Sequence, residues 1–401
     1  LTLTGAFDIF FANYPQGAEM ATPKFKEMER AYGFDEVAIV PGDVTVNPDQ
    51  TDTSFYIGDI TLKIPIFASA MDGVVDPRMA IELSKLGCLG VLNLDGVWSR
   101  YENADEILTQ IANTSDKEVT ALLQKIYTSP VKEHLIGKCV ETIKKAGAVC
   151  AVSLIPATAK KLAPIAKEAG ADILVIQSTV TTARHISKSY HGLVFSELIE
   201  SVKMPVIVGN AVSYTAAMEL MRTGIDGLLV GVGPGAACTT REVLGIGVPQ
   251  VTATINCAAA RDAFHKETGK YVNIITDGGI RIGSDLTKCF ASGADAVMIG
   301  SPMAQAFEAP GKGCHWGMAN PHPELPRGTR IRVGTKASLK QILFGPTSVT
   351  NGSENFVGAL RTAMGVCGAM TIKDMQKAKM VIAPSIKTEG KYFQAMQAFS
   401  V

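Results

Sequence analysis

One cysteine sits in a setting that the other seven lack. Cys238 closes the stretch Val230-Gly231-Val232-Gly233-Pro234-Gly235-Ala236-Ala237-Cys238-Thr239-Thr240-Arg241, which follows the apolar run Gly227–Val230. Its glycines and proline rule out both helix and ordinary strand, so the chain must turn sharply there with backbone amides and carbonyls exposed. Such a turn can hold an anion or a monovalent cation and can lower the pKa of a thiol at its end. Cys238 is therefore read as a nucleophile. The remaining cysteines lie in apolar or helical stretches and read as small core residues.

Two further turns suit an anion. Thr276-Asp277-Gly278-Gly279-Ile280 and Ile299-Gly300-Ser301-Pro302 each follow an apolar run. Gly278, Gly279 and Gly300 let the backbone approach a phosphate closely, and Ser301 can donate a hydroxyl. Asp277 would repel a phosphate but suits a ribose diol. Ser69, Met71 and Asp72 close a fourth apolar run and Asn210 closes a fifth, so they are expected around the same opening. Trp316 and Met318 could cover a flat base. His315 and His322 show no metal-ligand spacing.

Positioning these residues requires a fold that gathers the ends of many strands. Eight apolar runs, Ile66–Ala70, Leu89–Leu92, Val149–Leu154, Ile173–Gln177, Val206–Gly209, Gly227–Val230, Val272–Thr276 and Ala296–Ile299, show no polar alternation, as expected of parallel strands buried on both faces. Helical patterns lie between them, among them Pro77–Leu86, Ala157–Ala169, Tyr214–Thr223, Ile255–Thr268 and Gly283–Ser292. Glycines at 147, 170 and 293 fit helix ends that lead straight into a strand. The fold class is α/β, a (β/α)₈ TIM barrel, with an open doubly wound sheet as the alternative. That alternative lacks its glycine fingerprint after the first strand, where Ser69-Ala70-Met71-Asp72-Gly73 stands. Residues 1–30 read as an extension, 31–390 as the barrel and 391–401 as a tail. Asp95–Lys138 reads as a helical insertion after the second strand, and 302–352, with Arg327, Arg330 and Arg332, as a lid beyond the eighth.

Composition narrows the function classes. Apolar residues make up 47% and charged residues 19%, enough for a large core and against disorder. Lys+Arg and Asp+Glu are both 38, so no net charge points to nucleic acid or a membrane surface. No apolar run approaches the ~18 residues that a membrane span needs. No Cys-x-x-Cys pair suggests structural zinc, and scattered thiols suit a reducing, cytoplasmic compartment.

The segments Gly233–Arg241, Asp277–Ile280 and Trp316-Gly317-Met318 together resemble the inosine-monophosphate dehydrogenase/guanosine-monophosphate reductase superfamily, more narrowly its IMP dehydrogenase-related single-barrel branch. The resemblance covers roughly residues 30 to 390. It implies that Cys238 attacks C2 of a purine mononucleotide (GMP, IMP or XMP) to form a covalent adduct, with NADPH or NAD exchanging hydride at that carbon. It places Asp277 on the ribose, Gly278, Gly279, Gly300 and Ser301 at the phosphate, and Ser69, Met71, Trp316, Gly317 and Met318 at the base. It further places Thr240 on the proton of water or ammonia, and Ser178, Asn210, Gly231 and Met71 by the nicotinamide. Carbonyls of Gly233, Gly235 and Cys238 would hold a monovalent cation such as K+, and the assembly would be a homotetramer or homo-octamer.

Departures from the family pattern bear on the direction of reaction. Ala236 stands where the family usually has a phosphate-contacting serine. The lid lacks the Arg-Tyr pair with which family dehydrogenases hydrolyse their adduct; Arg100-Tyr101 lies in the early insertion instead. The paired regulatory (CBS) module between early strands is absent. The last two features favour reduction of GMP to IMP and ammonia. Against it, Arg327 stands before the lid glycine Gly328 where the reductase has its glutamate; Glu324 is a substitute, and Arg327 itself could serve as a base for water. IMP dehydrogenation therefore stays open. A non-catalytic nucleotide sensor and a flavin-binding barrel are further alternatives.

Overall fold

The apolar runs become eight short parallel strands: β1 (Ile66–Ala68), β2 (Leu89–Asn93), β3 (Ala151–Leu154), β4 (Ile173–Gln177), β5 (Val206–Ala211), β6 (Gly227–Val230), β7 (Asn273–Asp277) and β8 (Ala296–Ile299). Each pairs with its neighbour in sequence, and β8 pairs with β1, so the sheet closes into a barrel. The computed structural model describes residues 28–186, 192–317 and 330–384. The chain divides into two units, 1–30 and 31–401; the barrel belongs to the second. The expected extension, apart from residues 28–30, and the tail 391–401 lie outside the described residues.

Strand pleat explains the unbroken hydropathy. Phe67, Leu89, Val91, Ile173, Val175, Ile207, Leu229, Ile275 and Met298 form the cluster inside the barrel. Their immediate neighbours, such as Ile66, Leu92, Leu174, Ile176, Val208, Leu228 and Ile274, belong to the shell between strands and helices. Both faces are dry, so both must be apolar. An antiparallel hairpin, Phe55–Ile57 with Ile60–Leu62, adds Phe55, Ile57 and Leu62 to the interior cluster. The Phe55 ring meets Phe67 edge-on at 5.3 Å between centroids. This hairpin plugs the N-terminal end of the barrel and leaves the C-terminal end as the mouth.

The elements around the barrel match the sequence reading with instructive shifts. The insertion holds two helices, Ala104–Asn113 and Val119–Ile126, ahead of the connecting helix Glu133–Lys145. The helix expected from Ile255 begins at Gln250. Its extra turn buries Gln250, Val251, Ala253 and Thr254 against strand ends, so it lacks the polar outer face that periodicity detects. Strand β5 runs two residues past Gly209, with a register irregularity against β6 between Gly209 and Ala211.

Within the expected lid, Cys314–Trp316 pairs antiparallel with Arg330–Arg332. Arg330 and Arg332 reach the end of helix Ala104–Asn113, where Arg330 donates to the carbonyls of Ile111 and Thr114 and pairs with Asp116, and Arg332 donates to the carbonyls of Ala112 and Thr114. The insertion therefore holds this pair of strands within the expected lid. Among the described residues no helix is long and apolar enough to cross a membrane. Because Phe55 is 2% exposed and fills the barrel floor, Phe55→Ala is expected to cost about 3–5 kcal/mol of stability in urea denaturation.

Candidate active site

β6 delivers the cysteine turn to the mouth. The chain leaves Val230 through Gly231 at φ +144, where an added Cβ would meet the Asp277 carbonyl at 2.4 Å. Only glycine lets the two strand ends come so near. Gln250 Nε2 joins them by donating to the carbonyls of Val230 at 2.7 Å and Asp277 at 3.0 Å. Arg241 folds back over the turn, donating to the Val232 carbonyl at 3.3 Å and the Val248 carbonyl at 2.7 Å. At its tip the Cys238 amide donates to the Gly235 carbonyl at 3.0 Å. The thiol donates to Thr240 Oγ1 at 3.1 Å.

Cys238 is partly exposed. Of the other cysteines, all but Cys367 are buried, and none of the eight is in a disulfide. Burial pushes the Cys139 thiol up to about 11 and those of Cys150 and Cys257 to about 12. Such thiols stay protonated and inert at neutral pH. Exposure thus separates Cys238 from the six buried cysteines, and its place in the glycine turn at the end of β6 separates it from Cys367.

The glycine turn after β7 packs directly on this loop. A Cβ on Gly278 would lie 3.2 Å from Pro234 Cγ, and one on Gly279 3.0 Å from Pro234 Cβ. Asp277 Oδ2 accepts from Gln177 Nε2 at 2.9 Å, reaching over from β4, and from Asn210 Nδ2 at 2.8 Å. Desolvation raises its pKa to about 6, against the lowering effect of those two bonds. On the other side of the mouth, the Ser69 amide donates to the Ile299 carbonyl at 3.1 Å. A Cβ on Gly300 would come within 3.3 Å of Met71 Sδ and 3.5 Å of Ser69 Oγ. Ser301 Oγ lies 2.8 Å from His315 Nε2.

A family model described as the IMP dehydrogenase / GMP reductase domain matches residues 31–319. The chain belongs to the IMP dehydrogenase/GMP reductase family. It is 38% identical to an uncharacterized oxidoreductase of Mycolicibacterium smegmatis, over 88% of this chain and 96% of that protein. It is 29% identical to the inosine-5'-monophosphate dehydrogenase of Cryptosporidium parvum, over 91% of this chain and 94% of the relative. The crystal structure of an IMP dehydrogenase/GMP reductase-like protein from Corynebacterium glutamicum superposes with a TM-score of 0.85 at 36% identity, covering 90% of this chain and 96% of that one. The protein is thus an oxidoreductase of the IMP dehydrogenase/GMP reductase family.

Within this family barrel, most of the expected site residues do gather at the mouth: Cys238, Thr240, Asp277, Gly278, Gly279, Gly300, Ser301, Ser69, Met71 and Asn210. Ser178 joins them through backbone bonds with Gly209 and Asn210. Three expectations need correction. Trp316 does not cover the mouth: it is fully buried beside the insertion helices and donates from Nε1 to Tyr127 Oη at 2.8 Å. Asp72 is buried as well, accepting from the Val97 amide at 2.8 Å and from Tyr127 Oη. Gly231 is buried against Gln250 and the Asp277 carbonyl rather than turned to a cofactor. Gly317 follows the strand that ends at Trp316, whereas Met318, Glu324 and Arg327 lie outside the described residues.

Sequence reasoning missed Gln177, Gln250 and His315. Gln177 carried a signal, being the polar end of an otherwise apolar run, but its partner is 100 residues away. The raised Asp277 pKa has a consequence for stability. The native carboxyl holds its proton up to about pH 6, whereas the unfolded one releases it near about 3.9. Stability therefore falls as pH rises from about 4 to 6 and stays lowered above that. Asp277→Asn is expected to raise stability by about 1–2 kcal/mol at pH 7.5 and to lose that advantage by pH 4, as measured by denaturation at both values.

Proposed function

We propose that the protein is a purine mononucleotide oxidoreductase that acts at C2 of the base through a covalent adduct on Cys238, reducing GMP to IMP and ammonia with NADPH. The observation that supports this best is that the thiol and the glycine turn proposed for the nucleotide form one unit, since Pro234 packs on Gly278 and Gly279. A nucleotide held at that turn by its sugar-phosphate would present its base to the sulfur at a set distance.

In this reading Asp277 accepts from the ribose hydroxyls in its ionised form, while Gly278, Gly279, Gly300 and Ser301 hold the phosphate. Met71 and Ser69 flank the base. Cys238 Sγ bonds to C2 and the exocyclic amine leaves as ammonia, with the Thr240 hydroxyl, 3.1 Å from the sulfur, relaying the proton. Hydride at C2 would then expel the sulfur as a thiolate and yield IMP, and a proton from solvent would restore the thiol. A bound nicotinamide supplies that hydride. Gln177, Ser178 and Asn210 are polar and uncharged, which fits the neutral nicotinamide ring beside the base. The Gly235 carbonyl accepts one bond, from the Cys238 amide, and keeps a second lone pair. With the carbonyls of Gly233 and Cys238 it fits a monovalent cation, which would brace the turn.

The reductive direction draws on the insertion. Arg100 Nε donates to the Asp95 carbonyl at 2.9 Å, and Tyr101 Oη to the Ile126 carbonyl at 2.8 Å. Both are engaged in holding the insertion together, which supports reading them as structural rather than as the Arg-Tyr pair that the resemblance assigns to dehydrogenases. Glu324 or Arg327 would complete the acid-base set from the lid. A cytoplasmic homotetramer or homo-octamer accompanies this reading.

Purified protein in K+ buffer is expected to consume NADPH with GMP and to release ammonia. Turnover of IMP with NAD and water instead would reverse the direction, and nucleotide binding without turnover in either assay would leave a sensor. Cys238→Ala is expected to lower turnover at least about a thousandfold while GMP binding persists, since covalent catalysis is lost but the anchors remain. A folded Cys238→Ala protein with wild-type rates would end the adduct mechanism.

A further inference from the structure

Ser301 and His315 make a pair that the nucleotide reading does not use in full. The Ser301 hydroxyl stands at the mouth beside Gly300, on the short helix Ser301–Ala304. His315 lies behind it, 2% exposed, in a strand whose flanking residues Cys314 and Trp316 are also buried. That strand is pressed on the loop after β1: a Cβ on Gly73 would meet the Cys314 carbonyl at 2.5 Å and His315 Cα at 3.1 Å. The imidazole therefore has little room to turn. Its Nε2 lies 2.8 Å from Ser301 Oγ, and its Nδ1 has no partner among the described residues.

These contacts decide which atom gives the proton. Burial lowers the His315 pKa to about 4, so the ring is neutral at neutral pH and carries one N–H. With the proton on Nδ1, a buried N–H would go unpaired and the serine would have to donate to Nε2. With the proton on Nε2, the ring donates to Ser301 Oγ, and only a lone pair at Nδ1 is left unmatched. Orphaned buried N–H groups are the rarer defect, so the second tautomer is favoured. In it the Ser301 O–H is released to point away from the ring.

We propose that His315 is a positioning residue for nucleotide recognition, donating from Nε2 to Ser301 Oγ so that the serine hydroxyl is turned outward as a donor to a phosphate monoester. The inference rests on the nucleotide reading above and adds to it the group that aims its phosphate contact.

The test compares binding of GMP with binding of guanosine, which lacks the phosphate, by calorimetry on the full chain. His315→Phe keeps a ring of similar size but has no donor, and is expected to weaken GMP binding about tenfold, with guanosine binding unchanged. His315→Gln, whose Nε2 can reach the same oxygen, should restore most of the loss. In a Ser301→Ala background His315→Phe should have no further effect, because the histidine acts through that hydroxyl. His315→Asn, too short to reach Oγ, replaces the Phe variant if that one does not fold. GMP binding unaltered by His315→Phe, or an equal loss for guanosine, overturns the positioning role while leaving the nucleotide reading intact. A wild-type protein that binds neither GMP nor IMP overturns both.

Discussion

Two hydrogen bonds from one carboxamide hold the site together. Gln250 Nε2 bonds the carbonyls of Val230 and Asp277, which end adjacent strands where the sheet ladder runs out. Each bond contributes only about 1 kcal/mol net, but leaving such a carbonyl buried and unpaired costs about 1–3. The loops after β6 and β7 are thereby obliged to leave the barrel side by side. Gly231 permits the approach, and Pro234 then seats on Gly278 and Gly279. The Cys238 thiol and the glycine turn after β7 belong to different loops but are packed into one unit, as a site preorganised for a ligand requires.

Below this layer the barrel is a dry apolar plug, and above it lies a polar rim. Asp277 stands at the boundary, which is why its ionised form is disfavoured despite the donors Gln177 and Asn210. A carboxylate partly stripped of water is a poor choice for stability, which is the kind of cost found at functional sites. His315 shows the opposite logic. Burial keeps it neutral, and a neutral ring can donate its single N–H to a chosen partner without adding a charge to the mouth.

The helical insertion after β2 anchors the strand Arg330–Arg332 far later in the chain. Arg330 and Arg332 bond the last carbonyls of helix Ala104–Asn113, where the helix leaves its acceptors unmatched and attracts positive charge. Trp316 Nε1 continues the attachment through Tyr127 to the loop after β1. The strands at both ends of the described lid are thus fastened to elements more than 180 residues earlier in the chain.

The sequence by itself determined the barrel, because burial on both faces requires unbroken apolar runs and positive-φ turns at Gly147, Gly170 and Gly293 require glycine. It likewise pointed to Cys238, Asp277 and the glycine turns as candidates, because they follow apolar runs that end at one face of the barrel. What only the tertiary structure decided is which polar side chains meet. Gln177 finds Asp277 across the barrel, Gln250 staples two strands, and His315 backs Ser301, while Trp316 and Asp72 turn inward. Those pairings depend on closure of the sheet and on the seating of the lid strand. They join residues far apart in the chain, whereas local pattern reports only which face is buried.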